Sequence, residues 1–370
     1  MLSELSSGRE NNLSLMRLVG ALFVLLGHSF ILISGPGGEE DPISELIRPY
    51  MAFNMGLPGI GVSMFFVISG FLVTKSFLSH KNLLTYLEAR ILRIVPALFV
   101  AVLFCVFIVG LYFTHLETDR YLTAPSTWSY LLKNASLLET QFRLPGVFTE
   151  NRWPGINGSL WTLPIEFRLY LYVAMFGILG FLRSRVIFNS IVFLLIVMYA
   201  AFPLDFPLLI QSQHARLVIF FIIGAFMLIN ASKIQLNFSI LGVFICITAI
   251  NYGSAWFDLV FSITFSYLIL LIAYHPLLKM HNIERYGDYS YGMYIYAFPV
   301  QQSVIALKAD VNVYELNLLS FPVIAFLSFL SWHLIEKKSL RLKGLFSQVS
   351  LSFYMSKLKL LLNKTNTVDL

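Results

Sequence analysis

Two ionisable residues stand inside one apolar stretch, LSLMRLVGALFVLLGHSFILI at 13–33: Arg17 near its first turn and His28 near its last. On a helix rising ~1.5 Å per residue they lie roughly 16 Å apart along the axis. Each costs a few kcal/mol in a lipid-embedded helix unless it faces protein or water, so both read as site residues. An imidazole backed by a carboxylate in a low-dielectric cavity is a general base, able to take the proton of a hydroxyl attacking a carbonyl. Guanidinium groups gathered around one cavity suit a phosphate-bearing ligand. Two kinds of partner are then expected: a carboxylate at the depth of His28, and further cations at the depth of Arg17.

For His28 the candidate is Glu166, in SLWTLPIEFRLYLYV. It lies about 10 Å below the expected outer end of its span, and His28 about 8 Å below the end of its own. The carboxylate would fix the ring tautomer and raise its basicity. The alternative is a structural histidine hydrogen-bonded between helices, with Glu166 paired to Arg168. Against that, Arg168 is two positions on and faces another side of the helix. For Arg17 the candidates are Lys75, Arg90 and Arg93. Arg90 and Arg93 are three apart and share a helix face, either as ligands of an anion or as ordinary anchors on the positive side of a membrane. Trp153 and Trp161 serve as interfacial anchors or as a platform for a sugar ring. Asn157, Ser159 and Trp161 are candidates to hold an oxyanion. Tyr289, Tyr291, Tyr294 and Tyr296 put polar tips along GDYSYGMYIYAFPVQQS, and Tyr291 is a candidate substrate contact.

The elements that must position these groups are membrane helices. Of 370 residues 57% are hydrophobic and only 12% charged, about half the charge of a soluble protein. The apolar stretches predict an all-α polytopic membrane protein with about ten transmembrane helices, at 13–33, 56–77, 94–115, 159–180, 186–202, 214–230, 235–251, 256–275, 290–307 and 315–335. The first stretch lacks a clear cleavage site and is expected to remain as the first span. Glycines in NMGLPGIGVSMFFVISGFLV predict close helix approach. Lys and Arg fall about twice as often on the amino-terminal side as on the other, which predicts both termini in the cytoplasm. The connection 116–158 is the longest and is expected to fold over the bundle. After the last span, 336–370 reads as a basic, amphipathic cytoplasmic tail with an interfacial helix. Cys105 and Cys246 lie in apolar segments and read as core residues. No metal is expected, and no Lys/Arg field supports nucleic-acid binding. No ATP-binding loop is seen, so the energy of any reaction must arrive in a substrate.

Taken together these features resemble the membrane acyltransferase-3 family of polysaccharide O-acyltransferases. The resemblance runs over 10–335. It rests on the Arg17–His28 arrangement, FFVISGFLV at 65–73, the Arg90/Arg93 pair, SLWTLPIEF at 159–167 and YSYGMYIYAF at 289–298. It implies a ten-span bundle in the cell inner membrane. Such a bundle takes an acyl group, usually acetyl from cytoplasmic acetyl-CoA, and gives it to a sugar hydroxyl of O-antigen or exopolysaccharide, lipid-linked or free. It further implies that His28 is catalytic with Glu166 in support, and that Arg17, Arg90 and Arg93 serve the acyl donor. Acetyl-CoA is a co-substrate on this reading, with no cofactor held tightly. Many relatives have a histidine where this chain has Ala297, which leaves His28 as the base. A different class would be a proton-coupled transporter of a small solute or lipid-linked sugar, with His28 and Glu166 as the coupling pair.

Overall fold

The computed structural model describes residues 1–8, 11–35, 41–47, 55–79, 82–201, 214–280 and 287–345. Ten principal helices follow one another: α1 Leu13–Ser34, α2 Leu57–Ser79, α3 Leu83–Leu103, α4 Thr162–Ile178, α5 Arg185–Ala201, α6 Ala215–Ile229, α7 Phe238–Ile250, α8 Phe257–Tyr274, α9 Ser290–Leu307 and α10 Val313–Leu330. Side-chain caps start several of them. Asn82 accepts from the Leu84 amide, Asn237 from that of Ile240, and Asn312 forms a capping box with Glu315.

The chain is an all-α, multi-pass membrane protein. Among the described residues five helical stretches are long and apolar enough to cross a membrane: Leu13–Ser34, Leu57–Ser79, Leu83–Phe113, Phe257–Tyr274 and Val313–Arg341. The remaining expected spans are helical but shorter or more polar. Ala215–Ile229 has 15 residues, or ~22 Å of helix, against a hydrocarbon core of about 30 Å. The third helix also corrects its expected boundary. It begins at Leu83 rather than near 94, so Arg90 and Arg93 sit within it and not in a lead-in.

Helix α2 is the spine, with α1 against one side and α6 against another. The expected close approaches occur where glycine allows them. A Cβ on Gly61 would collide with the Gly20 carbonyl, and one on Gly70 with the Phe221 carbonyl. Helix α9 packs against α1 and α10, which brings the first and ninth principal helices side by side.

Among the described residues two helices carry π-helical turns. Helix α3 runs through Phe104–Gly110 to Phe113, and the hydroxyl of Tyr121 donates to the Val106 carbonyl at 2.9 Å. Helix α10 runs through Ser331–Glu336, where Ser331 Oγ donates to Glu336 Oε1 at 2.8 Å, and then into Lys337–Arg341. Glu336, expected at the start of an exposed tail, is buried. Residues from 346, including the expected interfacial helix, lie outside the described residues, as does most of the first loop.

The connection 116–158 folds over one end of the bundle, as its length suggested. It carries helices Thr118–Thr123 and Pro125–Ser136 and is pinned at several points. Thr114 Oγ1 donates to the Pro145 carbonyl at 2.9 Å and the His115 amide to that of Gly146 at 3.0 Å. Gln302 of α9 donates to the carbonyls of Trp153 and Gly155, while Asn151 donates to Gln302 Oε1 at 2.9 Å.

Candidate active site

Two helices send an arginine to one carboxylate, Asp288. Arg17 of α1 and Arg93 of α3 both donate to Oδ2 of Asp288, at 2.9 and 2.6 Å, and Arg93 reaches Oε2 of Glu336 at 3.4 Å. Ser290 Oγ donates to the other oxygen of Asp288 at 2.5 Å. Burial opposes ionisation of Asp288, but Arg93 and Arg17 outweigh it and hold the carboxyl well below the usual range.

Arg90, one helical turn before Arg93, is in a different position. It donates to Ser76 Oγ at 3.4 Å, and its guanidinium lies 5.8 Å from the centre of the Tyr170 ring. Among the described residues no carboxylate pairs with it, and its Nε is buried without a hydrogen-bond partner. Lys343, beyond the last helix, faces the same space, and burial together with Arg90 lowers its pKa.

These groups wall a cavity of about 390 Å³ inside the bundle, lined also by Glu166, Tyr291, Phe65 and Tyr294. Glu166 accepts from Ser69 Oγ at 2.8 Å and from the Tyr170 hydroxyl at 2.5 Å, one turn along its own helix. Tyr291 donates to the Ile94 carbonyl at 3.0 Å, and its ring centre is 5.9 Å from the Arg93 guanidinium. Phe65 meets Tyr294 edge to face at 5.7 Å, and Tyr294 is tied to Thr162 Oγ1 at 2.6 Å and to the Ser159 carbonyl at 2.8 Å.

Thus Arg17, Arg90, Arg93, Glu166 and Tyr291 are brought to one cavity, and His28 is not. His28 is half-buried on α1, with its ring edge on Phe298 at 5.2 Å and its Nδ1 buried without a partner. No hydrogen bond or ion pair joins it to Glu166 among the described residues. Glu166 does not pair with Arg168 either; Arg168 donates to the Leu138 carbonyl at 3.0 Å. Trp161 stacks on His214 at 4.5 Å, away from the cavity lining. Asn157 is fully buried. Its amide donates to the Ile295 carbonyl at 2.8 Å and accepts from the Ser159 amide at 3.1 Å, so it caps the turn that leads into α4.

Sequence reasoning missed Asp288, Glu336, Ser69 and Tyr170. The signal for the first two was charge balance: partly buried arginines on apolar helices require acids, and Asp288 and Glu336 sit at the ends of apolar runs. For Ser69 and Tyr170 no sequence signal separates them from ordinary packing residues.

Residues 10–337 match the family model described as an acyltransferase domain, Acyl_transf_3. An O-acetyl transferase of Shigella phage Sf6 is 30% identical over 347 residues, 90% of this chain and 96% of that protein. Nodulation protein 10 of Rhizobium leguminosarum bv. viciae is 32% identical over 181 residues, 47% of this chain and 46% of that protein. No solved structure matches the chain.

Proposed function

The chain belongs to the Acyl_transf_3 family and is a membrane O-acyltransferase; on that premise we propose that it moves acetyl from cytoplasmic acetyl-CoA to a sugar hydroxyl of a cell-surface polysaccharide. We place it in the cell inner membrane with ten crossings and both termini inside. Residues 10–335 form the catalytic membrane domain and 336–370 a cytoplasmic tail.

The observation that carries the reading is the cation-walled cavity within the bundle. Arg17 and Arg93 are occupied by Asp288 and Glu336, which makes them the frame of the cavity. Arg90 and Lys343 are the cations left for a ligand's phosphates, and the buried, unpartnered Nε of Arg90 fits an anionic donor. The apolar wall of Phe65, Ile94 and Leu163 suits the pantetheine arm.

His28 takes the proton of the sugar hydroxyl as its oxygen bonds to the thioester carbonyl carbon. It returns that proton to the sulfur as the C–S bond breaks. An acyl-histidine route uses the same residue as nucleophile. Glu166 acts from the donor cavity, where Ser69 and Tyr170 fix its carboxylate. Proton-coupled transport through a His28–Glu166 pair gains no support, since no hydrogen bond or ion pair joins the two among the described residues.

The test is transfer from isotope-labelled acetyl-CoA to surface polysaccharide, comparing the intact protein with His28→Ala at matched membrane abundance. A general base contributes ~10²–10⁴-fold, so label should fall at least a hundredfold. Undiminished label would remove His28 from the chemistry.

A further inference from the structure

A second cavity, of about 500 Å³, lies at the opposite end of the bundle from Arg17. It begins one helical turn beyond His28, at Leu32 and Ile33 of α1. The segment 148–152 and the end of α9 complete it. We propose that this bowl seats the acceptor: an uncharged hexose unit of a glycan, bound by Glu150, Asp310, His115 and Arg152 over the rings of Phe113 and Phe148. The proposal rests on the acyltransferase reading above for the identity of the reaction, and on this bowl for the identity of the site.

Four observations support it. First, the polar groups are unspent: the side chains of His115, Glu150 and Asp310 make no hydrogen bond or ion pair among the described residues, while Arg152 makes only a 3.5 Å contact to the Ser34 carbonyl. Sugar hydroxyls both donate and accept, so carboxylates, an imidazole and a guanidinium around one bowl can satisfy them together. Two carboxylates against one guanidinium disfavour an acidic sugar.

Second, the floor is aromatic. Phe113 and Phe148 stand 5.0 Å apart at 46°, and apolar faces beneath convergent polar groups are the usual composition of a ligand site of ~300–1,000 Å³.

Third, the walls are built rather than draped. Phe148 holds a left-handed backbone, φ 54°, which an aromatic residue adopts only where its surroundings force it. The Thr114–Pro145 and His115–Gly146 bonds, with the clamp of Gln302 on Trp153 and Gly155, do that forcing.

Fourth, the position fits transfer. Leu32 and Phe298 belong to one apolar cluster with Ile305 and Val311, and Phe298 carries the edge of His28. The bowl and the base therefore adjoin the same apolar cluster, one turn of α1 apart.

The test uses full-length protein in lipid nanodiscs, with Cys246→Ser to remove the exposed thiol and Ala309→Cys to place one at the bowl. De-O-acetylated surface polysaccharide from the cells that express the protein is the probe. Its saturating addition should slow maleimide labelling at position 309 at least tenfold. Glu150→Gln with Asp310→Asn should abolish that protection. In the otherwise unaltered chain the same pair should raise the apparent KM for polysaccharide at least tenfold and leave that for acetyl-CoA within twofold.

Labelling that ignores the polysaccharide, from a protein that still transfers acetyl, overturns the bowl alone. Protection without any transfer overturns the acyltransferase reading and leaves the bowl as a saccharide site. Neither protection nor transfer overturns both.

Discussion

Arg93 reaches Asp288 at 2.6 Å across the interior of the bundle, and the same carboxylate oxygen also holds Arg17. One acid therefore neutralises guanidinium groups from the first and third helices, and removing it leaves two cations facing each other in a partly buried site. Asp288→Asn is expected to cost ~3 kcal/mol of stability, the scale for breaking a buried ion pair from one side. It should also be read by pH. Because the folded carboxyl is held below its ordinary range, its contribution is complete above pH ~4, the unfolded value for Asp, and is lost as pH falls toward the folded value. Thermal melting of the purified protein between pH 7 and pH 3 should fall more steeply for the unaltered chain than for Asp288→Asn.

The two adjacent arginines should separate. Arg90 has no carboxylate partner among the described residues, so Arg90→Gln removes ligand contacts without stranding an acid. Charge-assisted bonds are worth ~1.5–3 kcal/mol, which corresponds to a rise of about 10- to 100-fold in the KM for acetyl-CoA at near-normal abundance. Arg93→Gln instead strands Glu336 and leaves Asp288 with Arg17 alone, and is expected to lower membrane abundance and melting temperature first. Fluorescence-detected chromatography and donor-dependent kinetics distinguish the two.

Glu166 lines the donor cavity and does not touch His28. Glu166→Gln is therefore expected to raise the KM for acetyl-CoA severalfold along with any loss in kcat. A pure kcat effect, with an altered pH–rate profile and no change in donor KM, would instead return Glu166 to the side of the base.

Gly158 abuts the ring of Phe298, where a Cβ would collide with it, and that ring carries the edge of His28. Gly158→Ala should push Phe298 toward the imidazole, with overpacking of ~1–3 kcal/mol. Transfer should fall at least tenfold at a stage after donor binding. Phe298→Leu in the same chain should recover part of it, as measured by kcat at saturating acetyl-CoA.

Much of the arginine site was legible in the sequence because charge inside an apolar run is costly wherever it occurs. Arg17 was recognisable from its position inside an apolar run, while Arg90 and Arg93 read equally as anion ligands or as membrane anchors; the structure brings all three to one cavity. The link between His28 and Glu166 was not legible. Helix rise gives depth, and depth suggested a pair, but which side of a helix a residue faces is set by its packing neighbours. Ser69 of α2 and Tyr170 of α4 claim the carboxylate. Asn157 looked like a polar group near a reaction centre, yet an Asn ahead of a helical turn is equally a cap, and that is its place here. Glu336 was hidden for a third reason. In EKKSLRLK it reads as one charge of a solvated run, but it closes the π-helical turn Ser331–Glu336 and there pairs with Arg93.

That turn also divides the last helix into two azimuthal frames. Before it, Phe326 and Phe329 lie exposed on the face of α10; after it, Leu340 and Lys343 reach the wall of the donor cavity. A π-helical turn accommodates an extra residue within an α-helix, so deleting one position within 331–336 would rotate everything downstream by about 100°. Helix length and composition would barely change, but Glu336 would swing away from Arg93 and Lys343 from the cavity. The last described helix is thus sensitive to residue number as well as residue identity: its phase, set by a single extra peptide unit, joins Leu340 and Lys343 to the site.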